Sequence, residues 1–172
     1  YIGLGSNQAD PVAQVNAACV ALACLPRTKV AACSSLYSSA PMGPQDQPGY
    51  INAVVALDTE LEADALLDSL QQIERQQGRV RKAERWGPRT LDLDILLFGN
   101  VRINSDRLQV PHYHMHARAF VLYPLAELAP DLQMPDGTPL QKLLQDCPRG
   151  DLQTLTVFIQ QPDAQTGLTP NG

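Results

Sequence analysis

Residues 78–98 read GRVRKAERWGPRTLDLDILLF, and this stretch has two halves of opposite character. The second half, residues 90–98, alternates apolar with acidic residues and then becomes apolar throughout. Because successive side chains of a β-strand point to opposite faces, this alternation predicts a strand with one apolar and one acidic face. The residues of these two faces are Leu91, Leu93 and Ile95 on the first, and Asp92 and Asp94 on the second.

Asp92 and Asp94 would place two carboxylates on one strand face, with Cα atoms about 6–7 Å apart. Two carboxylates so close repel each other, and Mg²⁺ typically binds one or two carboxylates together with phosphate oxygens of a substrate. A pair of metal ions about 3.5–4 Å apart can stabilise an in-line displacement at phosphorus. The pattern therefore predicts a site for two Mg²⁺ ions, and the alternative is an ordinary solvated strand face.

The first half of the stretch, from Gly78 to Arg89, concentrates positive charge around one tryptophan. Guanidinium and ammonium groups bind phosphate oxygens well. We therefore favour a loop that binds a polyphosphate, and the alternative is an ordinary basic loop on the surface. Such a loop can hold phosphate in place, or it can close over a nucleotide about glycine hinges such as Gly78 and Gly87. The charged residues and the tryptophan are Arg79, Arg81, Lys82, Arg85, Arg89 and Trp86.

The rest of the chain predicts helices and strands in irregular order, which is typical of an α+β fold. Gly99-Asn100 predicts a tight turn that pairs residues 101–103 with the acidic strand in a hairpin. Pro124 should kink its helix or begin a second one. The predicted strands are 1–5, 30–38, 50–58, 90–98 and 155–159, and the predicted helices are 11–25, 63–77, 118–128 and 139–144.

Composition limits the classes of partner. The net charge of −5 argues against a general nucleic-acid-binding protein, and no apolar run of about 18 residues suggests a membrane span. The 4 cysteines show no metal-binding or disulfide spacing, which favours a reducing, cytoplasmic location. We expect a monomer with a single domain over residues 1–159, a disordered tail over 160–172, and a few natural residues before Tyr1.

The quoted stretch resembles the signature segment of the 6-hydroxymethyl-7,8-dihydropterin pyrophosphokinases, which are folate-biosynthesis enzymes. RWGPRTLDLDIL at residues 85–96 matches that signature throughout, and GSN at 5–7 and GPQDQP at 43–48 also match. The likeness extends over residues 1–145. It implies transfer of the diphosphate of ATP to the hydroxymethyl group of 6-hydroxymethyl-7,8-dihydropterin, with release of AMP and two Mg²⁺ ions as cofactors. It also implies a three-layer α/β/α, ferredoxin-like fold with a largely antiparallel sheet.

The resemblance implies nucleotide contacts from three segments. In the basic loop, which would close over the substrates, Arg79 and Arg89 are expected to contact phosphates during catalysis. The family pattern Pro-His-x-x-Met-x-x-Arg-x-Phe fits residues 111–120 and implies further phosphate contacts there. The remaining nucleotide-binding residues implied are Arg81 and Trp86, which seal the site, Lys82, His112, Tyr113 and Arg118 at the phosphates, and Gln71, Glu74 and the Ile95 backbone at the adenosine. A solvated helix face is the alternative for Gln71 and Glu74.

The resemblance also implies a pterin site. Tyr50 and Phe120 match two aromatic residues that stack on the two faces of the flat ring. Asn52 matches a residue whose amide, both donor and acceptor, recognises the ring edge. Ser39, Ala40 and Met42 match the residues that contact the rest of that edge. Many relatives have Thr and Pro at the first two of these positions.

Three other functions compete with this interpretation. A zinc site could use the imidazoles of His112, His114 and His116, but no cysteine or carboxylate lies close to them in sequence. A two-metal phosphohydrolase or nuclease could use the same aspartates, but such sites usually need further acidic or histidine ligands. A ferredoxin-like RNA-binding module would carry paired exposed aromatic residues, whereas aromatic residues make up only 5% of this chain.

Overall fold

A computed structural model describes residues 1–41, 43, 46, 48–78 and 91–158. The predictions for the basic loop and for the C-terminal tail from residue 160 lie outside these residues. The loop residues affected are Arg79, Arg81, Lys82, Arg85, Trp86 and Arg89, and Met42 of the predicted pterin site also lies outside the described residues.

The described chain forms strands and helices around one main sheet. The strands are β1 Ile2–Ser6, β2 Thr28–Cys33, β3 Ser35–Ser39, β4 Tyr50–Thr59, β5 Asp92–Ile95, β6 Ile103–Asn104, β7 Gln109–Val110 and β8 Gln153–Phe158. The helices are α1 Pro11–Ala23, α2 Ala63–Gln76, α3 Ala119–Leu128 and α4 Leu140–Gln145, with a short 3-10 turn at Met115–Ala117.

The main sheet has the strand order β5-β1-β4-β3-β8, and β2 also pairs with β4. All of these pairings are antiparallel. One apolar cluster joins the sheet to α1 and α2, and a second cluster joins it to α3 and α4. The structure therefore confirms an α+β fold with helices on both sides of a largely antiparallel sheet, while its ferredoxin-like subtype stays a prediction.

Helix α1 forms where the sequence predicts it. The Asp10 carboxylate accepts a hydrogen bond from the Ala13 N–H at 3.3 Å, and Pro11 occupies the first helical position, where a missing N–H costs nothing. Val15, Cys19 and Leu22 recur at helical spacing and are fully buried against the sheet. These three side chains form the apolar stripe that packs α1 against the sheet.

Replacing Leu22 with alanine should lower the free energy of unfolding by about 2–5 kcal/mol, because it leaves a cavity in the packed core. Urea denaturation followed by circular dichroism measures this change. Val20→Ala on the same helix is the control, since that side chain is 50% exposed and its loss should cost less than about 0.5 kcal/mol. Equal losses in the two variants would contradict the assignment of the core.

The predicted hairpin between the acidic strand and residues 101–103 is wrong. A turn does form at Gly99-Asn100, where the Val101 N–H donates to the Phe98 carbonyl. Strand β5, however, pairs with β1, and Ile103–Asn104 pairs with Gln109–Val110 in a separate ribbon. Strands β1 and β5 both contribute apolar side chains to one buried cluster, and Ile103 and Val110 of the separate ribbon pack in the same cluster.

One further prediction needs correction. The strand predicted at 30–38 is two strands, β2 and β3, separated at Ser34. The Ser34 hydroxyl accepts the Val54 N–H at 2.9 Å, and the Ser35 N–H donates to the Glu127 carboxylate, so the regular ladder is interrupted. Of the two alternatives at Pro124, the second helix is excluded, because Pro124 lies inside the single helix α3, and the kink stays a prediction.

All 4 cysteines are free thiols, and the Cys19 and Cys33 sulfur atoms lie 3.3 Å apart in a hydrogen bond. Among the helices of the described ranges, none has the length and apolar character needed to cross a membrane. The predicted cytoplasmic location and monomeric state stay predictions.

Candidate active site

A cavity of about 250 Å³ opens on the face of the sheet that carries α3. The sequence-predicted residues that line it are Ser39, Ala40, Tyr50, Asn52, Asp92, Asp94, His112, Tyr113, Arg118 and Phe120. Strands β3, β4 and β5, the 111–118 segment and the start of α3 thus bring their predicted site residues to one place.

Strand pairing explains why both carboxylates and the Asn52 amide reach this cavity. In the sheet, Gly5 pairs with Asp92 on one side and with Asn52 on the other, and Gly3 pairs with Asp94. Directly paired residues project to the same face of a sheet. The carboxylates and the amide therefore share one face, with glycines of β1 between them.

The two glycines of β1 form part of the cavity floor. A Cβ atom at Gly5 would lie 3.3 Å from the Asn52 Oδ1, and one at Gly3 would lie 3.3 Å from a Leu96 methyl group. Both positions thus have little room for a side chain, and glycine inside a strand often marks close approach of a ligand. Sequence reasoning missed this role, although the Gly-x-Gly spacing on a strand was the available signal.

Asp92 and Asp94 offer hard oxygen donors at the cavity, which suit Mg²⁺. Within the residues that the structure describes, no group of three or more His, Cys, Asp or Glu side chains forms a metal site. The carboxylate pair therefore fits a metal ion that takes its other ligands from substrate oxygens and water.

The strand geometry that a zinc site at His112, His114 and His116 would need is absent. Residues 113–117 form a turn followed by the 3-10 segment, so the three imidazoles do not line one side of a strand. The His112 and His114 ring centroids lie 6.4 Å apart, and His116 is exposed. His114 nevertheless lines the cavity, although the family resemblance implies no substrate contact for it.

His112 presents a hydrogen-bond donor rather than a positive charge. Its Nδ1 accepts the His114 N–H at 3.3 Å, which leaves the proton of the neutral ring on Nε2. Burial, with help from the positive charge of Arg118 and against the attraction of Asp92, lowers the pKa of His112 to about 4. The His112 Nε2 and Asp94 Oδ1 atoms lie 3.9 Å apart, so at neutral pH this contact is not an ion pair.

In metal-free and nucleotide-free protein, the His112 ring should titrate with a midpoint of about 4 instead of 6.5. The unfolded chain binds this proton at higher pH than the folded protein. The His112 contribution to the free energy of unfolding therefore falls as the pH drops from 6.5 toward 4. Histidine-ring NMR over this range measures the midpoint, with His112→Gln to assign the signal. A midpoint at or above 6.5 would contradict the buried, neutral ring.

Arg118 and Phe120 enter the cavity from the start of α3. The Arg118 Cζ lies 5.6 Å from the centroid of the Phe120 ring, so the cation lies over the aromatic face. The Tyr113 ring stacks on His112 with centroids 5.1 Å apart and is itself 54% exposed. These contacts gather cationic, aromatic and hydrogen-bonding groups along one wall.

Asn52 and Ser39 provide polar groups on the sheet side of the cavity. Asn52 is only 4% exposed, and its Nδ2 donates to the Ser39 Oγ at 2.8 Å. The Asn52 Oδ1 faces Gly5. Ser39 pairs across the strands with Tyr50, which brings the hydroxyl, the amide and an aromatic ring together. A flat polar ring would find stacking and edge contacts here.

Among the predicted nucleotide-binding residues that the structure describes, three do not line this cavity: Gln71, Glu74 and Ile95. The Ile95 side chain belongs to the cluster on the opposite face of the sheet, as the strand alternation predicts. For Glu74 the alternative of a solvated helix face is wrong, because this side chain is buried with 4% exposure. Gln71 is half-buried. Their contacts with adenosine stay predictions.

The family model described as 7,8-dihydro-6-hydroxymethylpterin-pyrophosphokinase matches residues 1–130, a range that includes every residue lining the cavity. The chain belongs to this pyrophosphokinase family. Its curated relatives are named 2-amino-4-hydroxy-6-hydroxymethyldihydropteridine pyrophosphokinase. The Pseudomonas aeruginosa enzyme is 59% identical over 90% of this chain and 95% of its own length. The Haemophilus influenzae enzyme is 54% identical over 84% and 89%, and the Bacillus subtilis enzyme is 43% identical over 77% and 79%.

Proposed function

We propose that the protein transfers the diphosphate group of ATP to the hydroxymethyl group of 6-hydroxymethyl-7,8-dihydropterin and releases AMP, as a step of folate biosynthesis. Membership of the pyrophosphokinase family supports the reaction. The observation that carries its assignment to this site is the shared cavity, where the carboxylates of β5 meet the aromatic and amide groups of β4 and α3. One site can thus hold a metal-bound polyphosphate beside a flat acceptor ring.

In the proposed site, Tyr50 and Phe120 hold the faces of the pterin ring. Asn52 and Ser39 hydrogen-bond its edge, together with the backbone near Ala40 and Met42. Both polar side chains already contact each other, so their orientation is set before the substrate arrives. A ring fixed in this way would present its hydroxymethyl oxygen toward the carboxylates of β5.

The phosphate half of the proposed site begins at Asp92 and Asp94. These residues would hold two Mg²⁺ ions, whose charge offsets that of the triphosphate. Neutral His112 donates its Nε2–H, Arg118 supplies a permanent cation, and Tyr113 adds a hydroxyl. The hydroxymethyl oxygen forms its new bond to the β-phosphorus and loses its proton to solvent, while the bond from the β-phosphorus to the oxygen that bridges it to the α-phosphate breaks and AMP leaves. Such a displacement depends mainly on positioning and charge stabilisation.

The basic loop completes the proposal. Arg79 and Arg89 would contact the phosphates during transfer, Lys82 would add a further contact, and Arg81 and Trp86 would seal the site against water. The adenosine would lie toward Gln71, Glu74 and the backbone of Ile95. We further propose that the catalytic domain spans residues 1–159 and acts as a monomer in the cytoplasm.

The test is AMP release from ATP and Mg²⁺ with and without 6-hydroxymethyl-7,8-dihydropterin, resolved by chromatography. We expect AMP and the diphosphorylated pterin in equal amounts, and only when the pterin is present. Nucleotide hydrolysis without pterin would favour the phosphohydrolase alternative. Tight binding of single-stranded RNA, with no pterin product, would favour the RNA-binding alternative.

A further inference from the structure

A carboxylate on α3 binds strand β3 at a point outside the cavity. Glu127 Oε1 accepts the Ser35 backbone N–H at 2.9 Å and the Ser35 hydroxyl at 2.8 Å. Its Oε2 accepts the hydroxyl of Tyr37. The Glu127 side chain is exposed, but Ser35 and Tyr37 are 6% and 5% exposed. Removing the carboxylate would leave buried donors without this acceptor.

The hydrogen bonds to Glu127 also fall where the ladder of β3 is irregular. The register between β3 and β8 shifts between Ser35 and Tyr37, where the Ser35 N–H donates to a side chain. A slip of one residue in a strand moves every side chain to the opposite face. The carboxylate therefore stabilises the register that points Ser35, Tyr37 and Ser39 toward α3.

The same two elements carry groups of the proposed pterin site at their other ends. On α3, Phe120 precedes Glu127 by seven residues, which is close to two helical turns, so both lie on one face about 10 Å apart. On β3, Ser39 follows Tyr37 by two residues and pairs with Tyr50. Fixing α3 to β3 at Glu127 thus fixes the distance between Phe120 and the opposite wall of the cavity.

Tyr37 donates a neutral hydroxyl in this arrangement. Burial is the main cause that raises the pKa of Tyr37 to about 12, and the hydrogen bond to Glu127 is the second cause. Tyr37 lies opposite Thr154 of β8, whose hydroxyl accepts a hydrogen bond from Arg149 at 2.6 Å. Glu127, Tyr37 and Thr154 therefore link α3, β3 and β8, and none of the three lines the cavity.

We propose that Glu127, through Ser35 and Tyr37, is a positioning residue for the acceptor substrate: it holds α3 against β3 and so sets the width of the pterin site. This inference rests on the proposed placement of the pterin between Tyr50 and Phe120. It assigns Glu127 no contact with substrate. Loss of the Glu127 contacts with Ser35 and Tyr37 should weaken the binding of the pterin and leave the binding of ATP unchanged.

The test compares steady-state AMP release by Glu127→Ala, Tyr37→Phe and wild type while each substrate is varied in turn. Glu127→Ala should raise the KM for the pterin about tenfold, because small displacements of positioning groups are costly, and Tyr37→Phe about threefold. The KM for ATP should change by less than about twofold in both, because no ATP contact is removed. Glu127→Gln, which keeps an acceptor for Ser35, should restore most of the pterin affinity lost in Glu127→Ala.

Tyr123→Phe is the matched control, because it also removes one phenol hydroxyl from an α3 contact. That hydroxyl donates to the Cys147 carbonyl at 3.0 Å, away from the cavity lining, and its loss should lower Tm without changing either KM. If Glu127→Ala does not fold, Tyr37→Phe alone decides the question. A folded variant with an unchanged pterin KM, or with equal rises in both KM values, would overturn the proposal. Phe120→Ala tests the pterin placement separately: if it also leaves the pterin KM unchanged, the placement itself is wrong.

Discussion

Alanine at Asp92 or at Asp94 should reduce the rate of AMP release at saturating pterin by at least about 10³-fold, with the protein still folded. Each carboxylate is one of only two acidic groups at the described cavity, so removing one halves the protein ligands available to the metal ions. Asparagine keeps the shape of the side chain and loses its charge, so Asp92→Asn and Asp94→Asn should be impaired to a similar extent. Chromatographic assay of AMP at several Mg²⁺ concentrations provides the measurement.

Asp68→Ala is the control for the loss of an acidic side chain. Asp68 forms an exposed ion pair with Arg107 on the surface, and such pairs contribute little to stability. Its loss should leave AMP release unchanged. Circular dichroism should show native secondary structure in all of the aspartate variants. Activity within tenfold of wild type in a folded Asp92→Ala or Asp94→Ala protein would exclude the metal assignment.

The elements that sequence reasoning located well are those whose signal is local. The alternation from Leu91 to Ile95 is a property of five adjacent residues, and it placed each side chain on the correct face of β5. The start of α1 at Asp10 and Pro11 rests equally on neighbouring residues. Local backbone geometry decides such features, so a single sequence is sufficient to predict them.

The features that sequence reasoning missed depend on which strands become neighbours. The hairpin prediction failed because β5 pairs with the distant strand β1 instead of with the residues that follow it. The roles of Gly3 and Gly5 follow from the same pairing, because they lie between the carboxylates and Asn52. Glu127 contacts residues 90 and 92 positions away, Tyr37 and Ser35, which no local pattern indicates.

The residues of the candidate site also differ in whether a local pattern predicts them. Chemistry and spacing alone predicted the metal-binding role of Asp92 and Asp94, because two acidic residues on one strand face converge by geometry. Tyr50, Asn52 and Phe120 are single residues without a local pattern, and their roles came from the family resemblance. The structure brings all five to one cavity. Neither the local pattern nor the family resemblance predicted the burial of Glu74, because it depends on how α2 packs.

Replacing Asn52 with alanine should lower kcat/KM for the pterin by about 10²-fold or more. Asn52 is 4% exposed, and its amide is held by the Ser39 hydroxyl at 2.8 Å with its oxygen facing Gly5. A site built to hydrogen-bond a polar ring loses both the contact and its orientation when this amide is removed. Varying the pterin at saturating ATP measures the change, and Ser39→Ala should give a smaller loss, because the amide itself remains.

Thr59→Ala is the matched control for Asn52→Ala. Thr59 also lies on β4, and its hydroxyl forms a hydrogen bond at 2.7 Å with Thr28, far along the strand from the cavity residues. Both substitutions remove one polar group from the same strand and should lower Tm, but only Asn52→Ala should impair the reaction. If the two variants lost kcat/KM equally, the effect would come from general weakening of β4. If a folded Asn52→Ala protein kept kcat/KM within about threefold of wild type, the acceptor ring would have to bind elsewhere, since a lost buried hydrogen bond costs more than that.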